Sequence, residues 1–186
     1  MKASASKRAV VMIAVVAMSG ACVERDAVGI GPELDPNGQV AHNAAVSPLS
    51  ATGSGHTLAG GQPRTFAFSA ISHGDGRASG KYEIVIHAIQ AYLMVDVTCM
   101  RVQGNKAWVA GIIRKSNHPA IVEGSVSYFW TTDGGEGPNA VDVVSTARIN
   151  DPVGEDQRFC TLMPDEATSG LPGNVVVRGN VQVRGD

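Results

Sequence analysis

What most limits the folds open to this chain is a pattern that recurs along its second half and to its end. Apolar residues alternate through a short run, a turn signal stops them, and a new run begins. Strict alternation puts successive side chains on opposite faces of a strand, and runs this short leave no room for a long helix. Arg64-Thr-Phe-Ala-Phe-Ser-Ala-Ile71 sets Phe66, Phe68 and Ala70 on one face. Ser72-His73-Gly74-Asp75-Gly76-Arg77 then reads as a turn, because Asp-Gly supplies the positive φ that hairpin turns need. In the next run Tyr82, Ile84 and Ile86 oppose Lys81, Glu83 and His87. Tyr92 to Val102 places Leu93, Val95, Val97 and Cys99 on its predicted inner face. Gly104-Asn105 leads into a run where Trp108, Ala110 and Ile112 alternate. Ile121–Thr131 and Val141–Ile149 flank a glycine-rich loop, and the last run carries Val175, Val177, Val181 and Val183 on one face.

Those seven runs predict an all-β domain over residues 57–186, either a single antiparallel β-sandwich or a small β-barrel of about seven or more strands. The composition agrees: Gly (22) and Pro (9) are plentiful in 186 residues, and only 5% are aromatic. A helix is expected only near Pro164–Ser169, and a short one.

Ahead of this domain the pattern changes twice. Lys2, Lys7 and Arg8 precede the apolar run Ala9–Met18, which has the length of a secretory h-region and is too short to span a bilayer. Residues 1–21 are therefore expected to be a signal peptide. Ser19-Gly20-Ala21 before Cys22 fits a cut by an ordinary signal peptidase. It also resembles the lipobox of bacterial lipoproteins, in which Cys22 would carry the lipid, although Ser19 stands where that motif has an aliphatic residue. Residues 22–56, with Pro32, Pro36 and Pro48 among Gly, Asn, Ser and Ala, read as a flexible tether. Export, to the cell envelope as a lipoprotein or to the periplasm or medium, is the expected destination.

Three cysteines leave an odd thiol in an exported chain. If Cys22 takes lipid, Cys99 and Cys160 remain to form a disulfide in an oxidising compartment. Without the leader the chain holds 12 basic and 17 acidic residues, a net charge of −5. That excess gives no electrostatic reason to bind nucleic acid, or a membrane other than through an N-terminal lipid.

Three stretches resemble a family of secreted bacterial proteins described as post-COAP-1-like. They are Arg64-Thr-Phe-Ala-Phe-Ser-Ala with the following His73-Gly-Asp75-Gly76, Val97-Thr-Cys-Met-Arg-Val-Gln-Gly-Asn-Lys-Ala107, and Thr132-Asp-Gly-Gly-Glu-Gly137. The resemblance implies a β-rich exported domain and carries no activity or site residues with it.

Candidate sites are few, and each has a plain structural reading. His73 and Asp75 on a turn, with His87 on the adjoining strand, would make a three-ligand zinc set suited to hydrolysis. The same residues serve equally as turn chemistry and a solvent-facing histidine. Asp133 and Glu136 in the glycine-rich loop offer oxygen ligands to calcium, or simply polar loop tips. Asp151, Glu155 and Asp156 form a second acidic loop of the same kind. Tyr128-Phe129-Trp130 faces both sides of a strand and offers core packing or a stacking platform. The terminal Arg184-Gly185-Asp186 tripeptide is read as chance. The expected function is a non-enzymatic binding or structural module for a protein, glycan or small ligand, with no cofactor. The alternative is a metal-dependent exported hydrolase using His73, Asp75 and His87.

Overall fold

The computed structural model describes residues 48–74, 77–137 and 139–185. The expected signal peptide, Cys22 and most of the tether lie outside the described residues, as do Asp75 and Asp186. The chain is all-β, and between the two architectures left open it takes the barrel. Eight antiparallel strands close in one ring. They are β1 (Ser50–Ala59), β2 (Gln62–Ser72), β3 (Ala78–Ile86), β4 (Ala91–Gln103), β5 (Lys106–Ser116), β6 (Val126–Thr132), the short β7 (Val143–Ser145) and β9 (Gly173–Arg184), which returns to β1. An extra strand, β8 (Arg148–Asp151), continues along the edge of β6 where β7 leaves off. Closure of this kind removes the exposed edges of an open sheet.

Phe66, Phe68 and Ala70 of β2, Tyr82 and Ile84 of β3, and Leu93, Val95 and Val97 of β4 all face inward, as their alternation predicts. Phe129 of β6 meets Phe68 and Tyr82 edge to face, with ring centres 5.2 and 5.1 Å away. Rings from three strands thus fill the middle of the barrel.

Strand β1 starts at Ser50, well before the domain start expected at residue 57. Its inward phase is small: Ala51, Gly53, Gly55 and only then Thr57 and Ala59. Gly53 lies under the ring of Phe68, and a Cβ there would come within 2.7 Å of it. Large rings on β2 require almost nothing on β1, so β1 carries no hydropathy alternation to read.

Three strands change face part-way: β5 near its end, where Arg114 is the extra residue, and β4 and β9, whose changes correct the alternation. In β4 the pairing passes from Val97 with Gly111 to Cys99 with Ala110, which makes Thr98 an extra residue. Cys99 therefore points out of the barrel instead of in, and Met100 takes the interior place. In β9 the pairing passes from His56 with Arg178 to Thr57 with Val176, which leaves Val177 extra. Val176, Val181 and Val183 pack against the core, while Val175 and Val177 are exposed. One inserted residue reverses the phase of everything beyond it.

The outward turn of Cys99 meets helix α1 (Glu155–Leu162), which lies on the outer wall and was not expected from the sequence. Cys160 of α1 is bonded to Cys99, with 6.4 Å between their Cα atoms. Phe159 stacks on Tyr128 at 4.3 Å. Trp108 and Trp130 are buried in the same layer, and their indole N–H groups donate to the carbonyls of Pro164 and Leu171. The Tyr128-Phe129-Trp130 run is thus divided between two cores and presents no open stacking platform. The expected short helix is α2 (Glu166–Ser169), capped by Asp165, whose carboxylate accepts from the Thr168 N–H.

Beyond β7 the barrel is closed by side chains. Asp142 accepts from the Val181 N–H at 2.7 Å with one carboxylate oxygen and from the Gly134 N–H at 2.9 Å with the other. Asp133 accepts from the Val183 N–H at 2.9 Å and from the Gly135 N–H at 2.7 Å. Two carboxylates do here what a longer β7 would do with its main chain.

Outside, β1 and β2 present Thr52, Ser54, His56, Thr65 and Ser69 to solvent. No helix among the described residues is long and apolar enough to cross a membrane.

Candidate functional site

The inward row of β2 opens on a charge. Arg64 shares its phase with Phe66 and Phe68, and in register it sits between Thr57 of β1 and Ile86 of β3. That position is two residues from the start of β2, at the barrel end marked by the β1–β2 turn. Below it the core leaves a cavity, walled by Phe66, Phe68, Tyr82, Ile84, Phe129 and Val144 and open on one side. The cavity measures about 30 Å³, space for a small end of a ligand and not for a long acyl chain.

The Arg64 Nε atom is buried without a hydrogen-bond partner, and no ion pair among the described residues involves this side chain. Burial pulls its pKa below the ordinary arginine value, yet a guanidinium does not give up its proton in a protein. The Tyr82 hydroxyl is also buried without a partner. The Ser127 hydroxyl is near enough to favour its ionisation slightly, but it donates its own proton to the Arg148 carbonyl at 2.7 Å, and the Tyr82–Ser127 geometry falls short of a hydrogen bond. Burial dominates and pushes Tyr82 far above the usual phenol range. The other polar side chains of the lining are less available. The Asn174 amide donates to the carbonyls of Val144 and Pro172 and to the Thr146 hydroxyl, which ties β7 to β9. Glu83, also on the lining, is exposed and engages Tyr92. What remains is one permanent cation at the rim of an aromatic pocket.

The chain's other two tyrosines lie outside this cavity and shift the same way. Burial, then a hydrogen bond to Asp151, pushes Tyr128 up to about 12. Desolvation, then Glu83, raises Tyr92 as well. A raised acid keeps its proton in the folded state after the unfolded chain has lost it. Stability is therefore intact below the ordinary tyrosine pKa of about 10 and falls as pH rises from there toward the folded values. Alkaline titration of phenolate absorbance is expected to fall short of a three-tyrosine step at about pH 10, with Tyr82 ionising only on unfolding. A complete three-tyrosine step at about pH 10 would contradict this packing.

The structure separates the residues proposed for zinc. His73 follows the end of β2 and His87 follows the far end of β3, so the length of a strand lies between them, about 25 Å. His73 pairs with the Ser79 hydroxyl at 2.9 Å. His87 joins His56 on the Thr65 hydroxyl, at 2.8 and 3.0 Å, on the outer face of the wall. No group of three or more metal-binding side chains occurs among the described residues.

The calcium candidates have other work. Both carboxylate oxygens of Asp133 are taken by main-chain N–H groups, and Glu136 reaches the Gln182 amide at 3.4 Å. In the second acidic loop Asp151 accepts from Tyr128 and Arg148, Glu155 pairs with Arg158, and Asp156 accepts from Thr98. Arg184 ends β9 in register with Ser50.

No known family, curated protein or solved structure matches this chain. The three stretches that resemble post-COAP-1-like proteins fall on β2 and its turn, on the β4–β5 hairpin, and on the loop after β6. Those are the places where turn chemistry alone dictates much of the sequence.

Sequence reasoning passed over Arg64 and Asp142. Arg64 did leave a signal: a charged residue in step with two phenylalanines on a core-facing row. Asp142 left none, because its partners are main-chain groups, one on the preceding loop and one 39 residues further on.

Proposed function

We propose that this chain is an exported, non-enzymatic barrel module that holds a small molecule in one end of its β-barrel. The observation that carries this reading is the cavity itself. Most of the barrel interior is filled to core density, but the end bearing Arg64 keeps an opening with aromatic walls. Small-ligand sites have this character: concave, largely apolar, with a few polar groups to orient the occupant. The polar side chains at this one are a guanidinium, hydroxyls, an engaged amide and the exposed Glu83 carboxylate, which suit holding a ligand. None of them is a nucleophile held against a base.

The leader pattern supports export, and the Cys99–Cys160 disulfide suits an oxidising compartment. Lipid on Cys22 would tether the module to the envelope, and plain cleavage would release it.

Native and denaturing mass spectrometry of the protein purified from an expressing bacterium tests the reading. The expected native spectrum includes a bound small organic molecule and no metal. The denatured protein should lack residues 1–21 and carry the Cys99–Cys160 bond. A stoichiometric metal, or a retained leader, would overturn the corresponding part.

A further inference from the structure

We infer that the cavity takes a small apolar monocarboxylate, its carboxylate on the Arg64 guanidinium and its hydrocarbon end among Phe66, Phe68 and Phe129. This rests on the reading of the barrel as a small-ligand module and names the ligand class for that site. The first ground is the unanswered charge. The Nε of Arg64 is buried with no acceptor, and no carboxylate of the described residues pairs with it. A guanidinium offers donors in a planar fork that matches a carboxylate, and a buried donor left unmade is costly to the protein.

The second ground is the company Arg64 keeps. The walls beneath it are rings, with Phe66 and Phe68 stacked at 6.0 Å and Phe129 edge-on to Phe68. An inorganic anion would leave those faces dry and empty, while a hydrocarbon would cover them. The third ground is charge count. One guanidinium neutralises one negative charge, and the nearest inward side chains in register, Thr57 and Ile86, add no second cation. The one carboxylate on the lining, Glu83, is exposed on the outer face of β3. A dianion such as a phosphate monoester would keep an uncompensated charge at an apolar wall. The space of about 30 Å³ limits the enclosed part to the edge of one ring or a few carbons, the carboxylate lying at the open rim.

The test uses benzoate as the probe on the full-length exported protein, with benzamide as a neutral isostere and inorganic phosphate as a bare anion. Binding is read by calorimetry and by shifts of the Phe66, Phe68 and Phe129 ring resonances. Benzoate is expected to bind at least tenfold more tightly than benzamide, to shift all three rings, and to resist competition by phosphate. Arg64→Met should weaken benzoate by tenfold or more and leave benzamide unchanged. Because the guanidinium makes no internal bond, the same variant should melt at or above the wild-type temperature. Equal affinity for benzoate and benzamide, unmoved by Arg64→Met, would remove the carboxylate while leaving a small-ligand barrel. Binding of no probe at all would remove both. A marked fall in Tm for Arg64→Met would assign the guanidinium to folding and overturn the inference.

Discussion

Replacing Cys99 and Cys160 together by alanine is expected to cost about 4 kcal/mol of stability, from the entropy of a closed loop with a 61-residue separation. Single domains hold only about 5–15 kcal/mol in total, so the loss should be plain in urea denaturation with and without reductant. The structure adds a signature that loop entropy does not. Both tryptophans of the chain lie in the outer core that α1 covers, beside the disulfide. Freeing α1 is expected to move tryptophan emission to the red at denaturant levels where the β-signal of the wall persists. A stability change under about 1 kcal/mol would show that Phe159 on Tyr128 and the two indole hydrogen bonds hold the helix without the bond. An emission maximum that does not move would show the same.

Asp142→Ala is expected to be nearly as damaging, with a loss of about 3 kcal/mol. The carboxylate answers two N–H groups at once, and hydrogen bonds to a charged partner are worth about 1.5–3 kcal/mol each. The damage should be local before it is global. Exchange of the Val181 amide should speed up more than that of amides in the β2–β3 or β4–β5 ladders. Asp142→Asn, which keeps one carbonyl acceptor, should fall between wild type and alanine. Glu136→Ala, on the same loop but with only a 3.4 Å contact to Gln182, should stay within about 0.5 kcal/mol. Equal costs at 136 and 142 would mean that the carboxylates do not close the barrel.

Strands β2, β3 and the first part of β4 were readable because each has one face in the core and one toward water, so hydropathy and geometry share a period of two. Strands β5 and β6 are covered on both faces, and there only the apolar run and its bounding turns were legible. Where that link breaks, so does legibility. Strand β1 could not be seen because its inward residues are small, and they are small because Phe68 occupies their space. The outward turn of Cys99 and the exposure of Val177 follow from bulges, which are decided between strands and leave no mark within one. Helix α1 was hidden for a related reason. Its buried residues are Asp156, Phe159 and Cys160, too few to show a helical stripe, and one of them is an acid. Of the candidate site, the apolar walls were legible and the cation was in plain view. What could not be read was that no partner would reach it, since that depends on every other acidic residue finding a place elsewhere.

Strand β1 enters the wall at Ser50, in register with Ile71 near the end of β2, whereas Arg64 lies toward the opposite rim, near the β1–β2 turn. The described chain therefore joins the barrel at the base of this cup, and the first strand must run its whole length before its turn reaches the brim where the arginine stands.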